Sequence, residues 1–274
     1  MIRAILTGLV FLFCGCSGRK VEIVSRIGNG IQSEQKQFTP DNSGVTFVGR
    51  GYNMSGTQVD PPIETLLIDP LGRKKGYNPD TASLIHEIPH AIYAQDDSIG
   101  IDSEEDVPAS EQPPAYSALE VTQPMSGEYQ IQVFGKEVGE YELSVRGHTS
   151  DAELRLEQKY FGLTEKGRIA EFRLNFNKTP GSVSTVTKTV TFQSLRDDLR
   201  LARQLGYIDN DGILNSLNKK LENAEKQYNE NQKGAANNIL EALKNELEAQ
   251  KGKHLFESLG NVLNNDVSEL QKNL

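Results

Sequence analysis

The sequence predicts an α+β multidomain chain: an antiparallel β-sandwich followed by a small three- or four-helix bundle. Two observations carry that expectation. Between residues 44 and 193, polar and apolar residues alternate in short runs bounded by Gly, Pro, Asn and Asp. From 194 onward the apolar residues step at three and four instead. A period of two buries one face of a strand, and a period near 3.6 buries one stripe of a helix.

The alternating runs are 45–49 (VTFVG), 63–69 (IETLLID), 117–123 (SALEVTQ), 152–158 (AELRLEQ), 169–176 (IAEFRLNF) and 184–192 (STVTKTVTF). Many short strands with turns between them suggest a sandwich. A local echo lies among them. Gly127-Glu128-Tyr129-Gln130-Ile131-Gln132-Val133 recurs as Gly139-Glu140-Tyr141-Glu142-Leu143-Ser144-Val145. Each copy sets Tyr, an aliphatic residue and Val at i, i+2 and i+4, on one face. With Gly135 between them, the copies read as a β-hairpin with matched apolar faces. A core stripe is favoured over a binding stripe for Tyr129 and Tyr141.

The helical signals begin at Leu195, Leu199, Ala202 and Leu205. They continue through Leu214, Leu217, Leu221, Ala224 and Tyr228, and then through Ala236, Ile239, Leu240, Leu243 and Leu247. Phe256, Leu259, Val262, Leu263, Val267 and Leu270 close the series. Gly206, Asp209-Asn210-Asp211-Gly212, Gly234 and Gly252 punctuate it. Short loops between amphipathic helices predict an antiparallel bundle.

The N-terminus is a targeting segment. Arg3 precedes an uncharged, mostly apolar run from Ala4 to Phe13. As a helix that run is about 15 Å long, half of a bilayer core. It reads as a signal peptide over residues 1–15. Leu12-Phe13-Cys14-Gly15-Cys16 resembles a bacterial lipobox, in which the final Cys becomes the acylated first residue of the mature chain. Gly15 matches the small residue before that Cys, while Phe13 and Cys14 depart from the commoner pattern. The alternative is ordinary secretion with cleavage after Gly18. Cys14 and Cys16 are the only cysteines, so cleavage before Cys16 leaves no disulfide. Residues 16–43, rich in Gln, Ser, Asn and Gly, read as a lipidated tether. Residues 44–193 read as the sandwich domain and 194–274 as the bundle domain.

Composition excludes some function classes. The chain has 274 residues, with 29 Lys and Arg against 38 Asp and Glu, a formal charge of −9. Such a balance provides no basic footprint for nucleic acid. Trp is absent, which disfavours sugar recognition by aromatic stacking.

His86-Glu87-Ile88-Pro89-His90 matches the zinc-protease string H-E-x-x-H. That chemistry requires two His one helical turn apart, with Glu as base. Pro89 between the two His is incompatible with a helix interior and pushes Ile88 toward extended geometry. In an extended segment, His86 and His90 stand about 13 Å apart and cannot share one ion. The acidic run holds Asp96, Asp97, Asp102, Glu104, Glu105 and Asp106. Calcium takes six to eight oxygen ligands, so a calcium site is one reading of this run. A solvated loop before Pro108, Pro113 and Pro114 is the default. Asp209-Asn210-Asp211-Gly212 fails as a calcium loop, because Tyr207 and Asn218 fall where Asp and Glu belong. It reads as a helix cap, with Asp209 or Asp211 accepting from the next helix. No G-x-S-x-G elbow and no evident Ser–His–Asp grouping is present.

Two stretches resemble known modules. "LLIDPLGRKKGYNPDT", "HEIPHAIY", "DDSIGIDSEED" and "LEVTQPMSGEYQIQVFGKEVGEYELSV", within about 66–145, resemble the non-catalytic β-sandwich that follows the catalytic part of exported bacterial peptidases. The family has Asn-Glu-Ile-Pro-Gly where this chain has His86-Glu87-Ile88-Pro89-His90. Residues 216–255 resemble the small FIMAH-type helical module of secreted bacterial proteins. The matching positions are Ser216-Leu217, Lys220-Leu221, Ala235-Ala236, Leu240, Leu243 and Ala249-Gln250-Lys251-Gly252-Lys253. Both resemblances imply attachment or interaction accessories, usually appended to an enzyme.

The expected protein is therefore non-catalytic and lipid-anchored at Cys16 in the bacterial envelope, at the outer membrane or cell surface. It acts there as a binding, adhesion or interaction module. Its expected partners are the membrane, through the lipid, and an envelope protein or glycan. It needs no cofactor, with calcium the possible exception. The contrasting expectation is a metal-dependent hydrolase using His86, Glu87 and His90.

Overall fold

The structure, a computed structural model, describes residues 23–26, 31–34, 40–53, 57–95 and 116–274. They fall into two units, Met1–Pro40 and Asp41–Leu274. In the first unit, β1 (Ile23–Arg26) pairs antiparallel with β2 (Ile31–Glu34). The stretch expected as a tether therefore carries a strand pair, seeded by β-branched residues such as Ile23, Val24 and Ile31.

The second unit opens with β3 (Gly44–Tyr52), which buries every second residue. Next come β4 (Gln58–Val59), β5 (Ile63–Ile68), β6 (Lys74–Asn78), β7 (Ser83–His86) and β8 (Ala91–Gln95). After them come β9 (Ser117–Thr122), β10 (Gly127–Gly135) and β11 (Gly139–His148). The series ends with β12 (Leu154–Thr164), β13 (Ile169–Phe176) and β14 (Thr185–Lys188). They form two antiparallel sheets. One runs β14–β13–β10–β5–β6–β7, and the other runs β12–β11–β3–β9–β8 with β4 on β3. Between them lies a core of Phe47, Leu67, Ile131, Leu143, Phe172 and Leu174 with their neighbours.

The echoed segments do not form a hairpin. β10 pairs with β5 and β13, while β11 pairs with β3 and β12. Residues 136–138 carry the chain from one sheet to the other. Alternation explains how both outcomes read alike in sequence. Each copy has one apolar face, and that face is buried equally well beside its twin or opposite it. Here Tyr129, Ile131 and Val133 enter the same core as Tyr141, Leu143 and Val145, from the opposite sheet. Both tyrosines are core residues, 2% exposed.

Four helices follow: α1 (Phe192–Gln204), α2 (Asp211–Asn229), α3 (Lys233–Gln250) and α4 (Glu257–Lys272). α1 packs on α2 and α4, and α3 packs on α2 and α4. Leu195, Leu199, Leu217, Leu221, Leu240, Leu247, Leu263 and Val267 lead their shared core. The run 184–192, expected as one strand, divides. Its strand ends at Lys188, and Val190 and Phe192 join the helical core. Thr191 caps α1 through a reciprocal box with Ser194. None of the described helices is long and apolar enough to cross a membrane.

Candidate functional site

The two sheets leave one side of the sandwich open, between edge strands β12 and β14. α4 contacts both strands and α1 contacts β12, so the bundle docks across this side. A groove of about 680 Å³ remains there, lined by residues 155–161, residues 184–188 and one face of α4. Seven and five consecutive residues line it. A strand face shows only alternate residues, so consecutive lining means that edges border the groove.

Charges buried in apolar stripes build its inner end. On β14, Lys188 points inward with Val186, at the position the alternation gives to the core. On α4, Asp266 lies between Leu263 and Leu270 in the buried stripe. Lys188 Nζ donates to Asp266 Oδ2 at 2.6 Å, with both side chains at least nine-tenths buried. Burial works against the Lys188 ammonium, but the facing Asp266 carboxylate outweighs it and holds Lys188 above the ordinary lysine value. A second pair lies nearby: Arg168 Nη1 stands 2.9 Å from Asp198 Oδ1, in the apolar stripe of α1. Arg168 also donates to the carbonyls of Leu163 and Ser194. Burial pushes the Tyr141 hydroxyl up, and both pairs act on it electrostatically.

Tyr160 crosses the groove floor. Its hydroxyl donates to the carbonyl of Val186 at 2.8 Å, joining β12 to β14. Its ring meets Phe172 edge-on at 4.9 Å, and burial pushes its hydroxyl up to about 12. Gly162 permits the tight fit beneath. A Cβ there would lie 2.7 Å from the Tyr141 ring and hydroxyl.

The outer charges are paired as well. Glu157 accepts from Arg146 at 2.7 Å, and Arg155 donates to Glu153 at 2.6 Å. Lys159 stands 3.2 Å from the buried carboxylate of Glu142, which Arg50 shares. Lys272 pairs with Glu269 at 2.6 Å. The groove therefore presents hydrogen-bonding edges with little net charge. Phe161, 40% exposed, is its most open large apolar side chain.

His86, Glu87 and His90, expected at a site from sequence, lie elsewhere. His86 closes β7, where its Nδ1 stands 2.6 Å from Lys75 Nζ. Glu87 accepts from the Lys74 amide at 2.8 Å, so it is spent on the β6–β7 pair, at the end away from their turn. His90 adopts a left-handed backbone (φ 56°) in the turn after β7. No helix carries the three. Among the described residues, no three His, Cys, Asp or Glu side chains gather to hold a metal ion. Cys16 and the acidic residues Asp96, Asp97, Asp102, Glu104, Glu105 and Asp106 lie outside the described residues.

At the 209–212 turn, the cap is Asn210 and not a flanking aspartate. Its side chain accepts from the amides of Gly212 and Ile213. Asp211 pairs with Arg203, and Asp209 pairs with His254 Nδ1 at 2.8 Å. Only the middle residue sits at the N-cap, with the extended backbone a cap requires.

Against protein-family models, curated proteins and solved structures, the chain shows no match. The likenesses noted above rest on the quoted residues alone.

Proposed function

We propose that this chain is a non-catalytic interaction module, anchored by lipid at Cys16 in a bacterial envelope. A partner docks in the groove between β12, β14 and α4. The observation that carries the reading is the groove itself, bordered by two sheet edges, with its charged side chains already paired within the chain. Lys188 is held protonated and enclosed, so it serves neither as base nor as nucleophile. Paired charges with exposed main-chain edges suit recognition better than catalysis. The likeness to accessory modules of exported proteins points the same way.

Photo-cross-linking tests it. Benzoylphenylalanine replaces Phe161 in the groove and, as control, Leu71, which is 64% exposed in the β5–β6 turn. Irradiation of intact envelopes is expected to give a discrete adduct from position 161 and none from position 71. Equal labelling from both positions, or none from either, contradicts a docking groove.

A further inference from the structure

One border of the groove, β12, carries a long row of outward main-chain groups, and that row defines what fills it. The direction of each main-chain group follows from the register. The Thr149 amide donates to the Glu153 carbonyl, and the Asn42 amide donates to the Ser150 carbonyl. Odd residues of β11 therefore bond to β12, and even ones bond to β3. Val145 stands opposite Gln158, and Leu143 opposite Tyr160, so even residues of β12 face β11. The main-chain groups of Glu157, Lys159 and Phe161 point away from the sheet. The Leu163 carbonyl, in the same row, confirms this by accepting from Arg168. Among the described residues, nothing bonds the outward groups of Glu157, Lys159 or Phe161. Across the groove, the outward Val186 carbonyl on β14 accepts from Tyr160. β12 is the longer of the two edges, eleven residues against four.

A row of alternating amides and carbonyls at strand spacing is complemented by another extended main chain. We infer that β12 accepts an extended, uncharged peptide segment of a partner protein, added as a further strand beside residues 155–161. This rests on the interaction-module reading above. Charge complementarity selects an uncharged segment, because the charged side chains around the groove are already paired within the chain. Exposed Phe161 favours alternating apolar residues on the face beside it. The seven lining residues of β12 span about 23 Å at about 3.3 Å each, so the segment is short. A second copy of the chain is the poorer occupant. Its own β12 lies in the same groove, walled by its own α4 and β14, and two such walls meet before the edges do.

Proline separates main-chain from side-chain recognition. Lys159→Pro removes one outward amide and leaves the β11 ladder intact, as an edge position permits. Lys159→Ala removes the same side chain, and with it the Glu142 contact, but keeps the amide. The probe is a phage-displayed random dodecapeptide library, panned on the full chain carrying Cys16→Ser. Selected peptides are then measured free in solution, with circular dichroism confirming that each variant is folded. We expect uncharged, β-prone peptides that bind the Lys159→Ala variant within a few-fold of the parent. We expect the Lys159→Pro variant to bind them at least about tenfold more weakly. Three results overturn strand addition: no enriched peptide, peptides that bind Lys159→Pro as well as the parent, or concentration-dependent dimerisation that Lys159→Pro abolishes. If Lys159→Pro leaves the envelope adduct from position 161 unchanged, the module reading stands and strand addition fails. If neither envelope nor library supplies a partner, the module reading itself fails.

Discussion

At the residue scale, the Lys188–Asp266 pair sets the chemistry of the groove's inner end. Two charges taken from water into an apolar seam cost several kcal/mol each, and their mutual attraction offsets that only while both remain. Removing one partner strands the other. Lys188→Met is therefore expected to destabilise the fold by about 3–5 kcal/mol, measured by urea unfolding. Lys188→Met combined with Asp266→Leu is expected to recover most of that loss. A double variant as unstable as the single one would show that the site holds something besides the pair. Neither residue declares itself as functional in sequence, yet each carries a signal. Lys188 occupies the inward parity of an alternating run, and Asp266 and Asp198 interrupt apolar helical stripes. Opposite charges in two buried stripes are natural partners, because unpaired they would not be buried.

At the element scale, helix boundaries follow from caps and sheet neighbours do not follow from alternation. Asn210 caps α2 through two amides, and replacing it with Ala is expected to cost about 1 kcal/mol. Thermal unfolding of Asn210→Ala, compared with Asp209→Ala and Asp211→Ala, checks this. The largest fall in Tm belongs to Asn210. The periodicity that places the four helices is legible because each buries a continuous stripe on its neighbours. The long strands are legible for the same reason. β4, β6, β7 and β8 are not, since they are short and take their order from pairing. Lys74–Asn78, for instance, is a strand because Gly76 (φ 118°) lets the chain pass close to the Thr65 carbonyl. The β10–β11 arch is hidden for a different reason: one repeat pattern fits adjacent strands and facing strands alike. The groove inherits that opacity, because its two edges lie in different sheets, and alternation does not say which sheet a strand joins.

At the scale of the whole molecule, strands and helices from Asp41 to Leu274 belong to one compact unit. The bundle closes part of the sandwich's open side through Lys188–Asp266, Arg168–Asp198 and the Tyr207 hydroxyl, which donates to Glu140 at 2.6 Å. Leu163 of β12 belongs to the helical core. Docking is thus a shared apolar seam with buried charges, and it leaves the β12 edge accessible. Acylation at Cys16, as proposed, gives the chain an address at a membrane surface. A diacylated chain with a third amide-linked acyl group binds bilayers stably, since each buried CH₂ contributes about 0.8 kcal/mol. The most direct test is the intact mass of the native protein together with its partition between Triton phases, compared with Cys16→Ser. The expected result is a mature chain beginning at Cys16 with added acyl mass. That chain enters the detergent phase, and the Cys16→Ser protein stays in the aqueous phase. An unmodified chain beginning beyond Cys16 would contradict it and make the protein a freely secreted one.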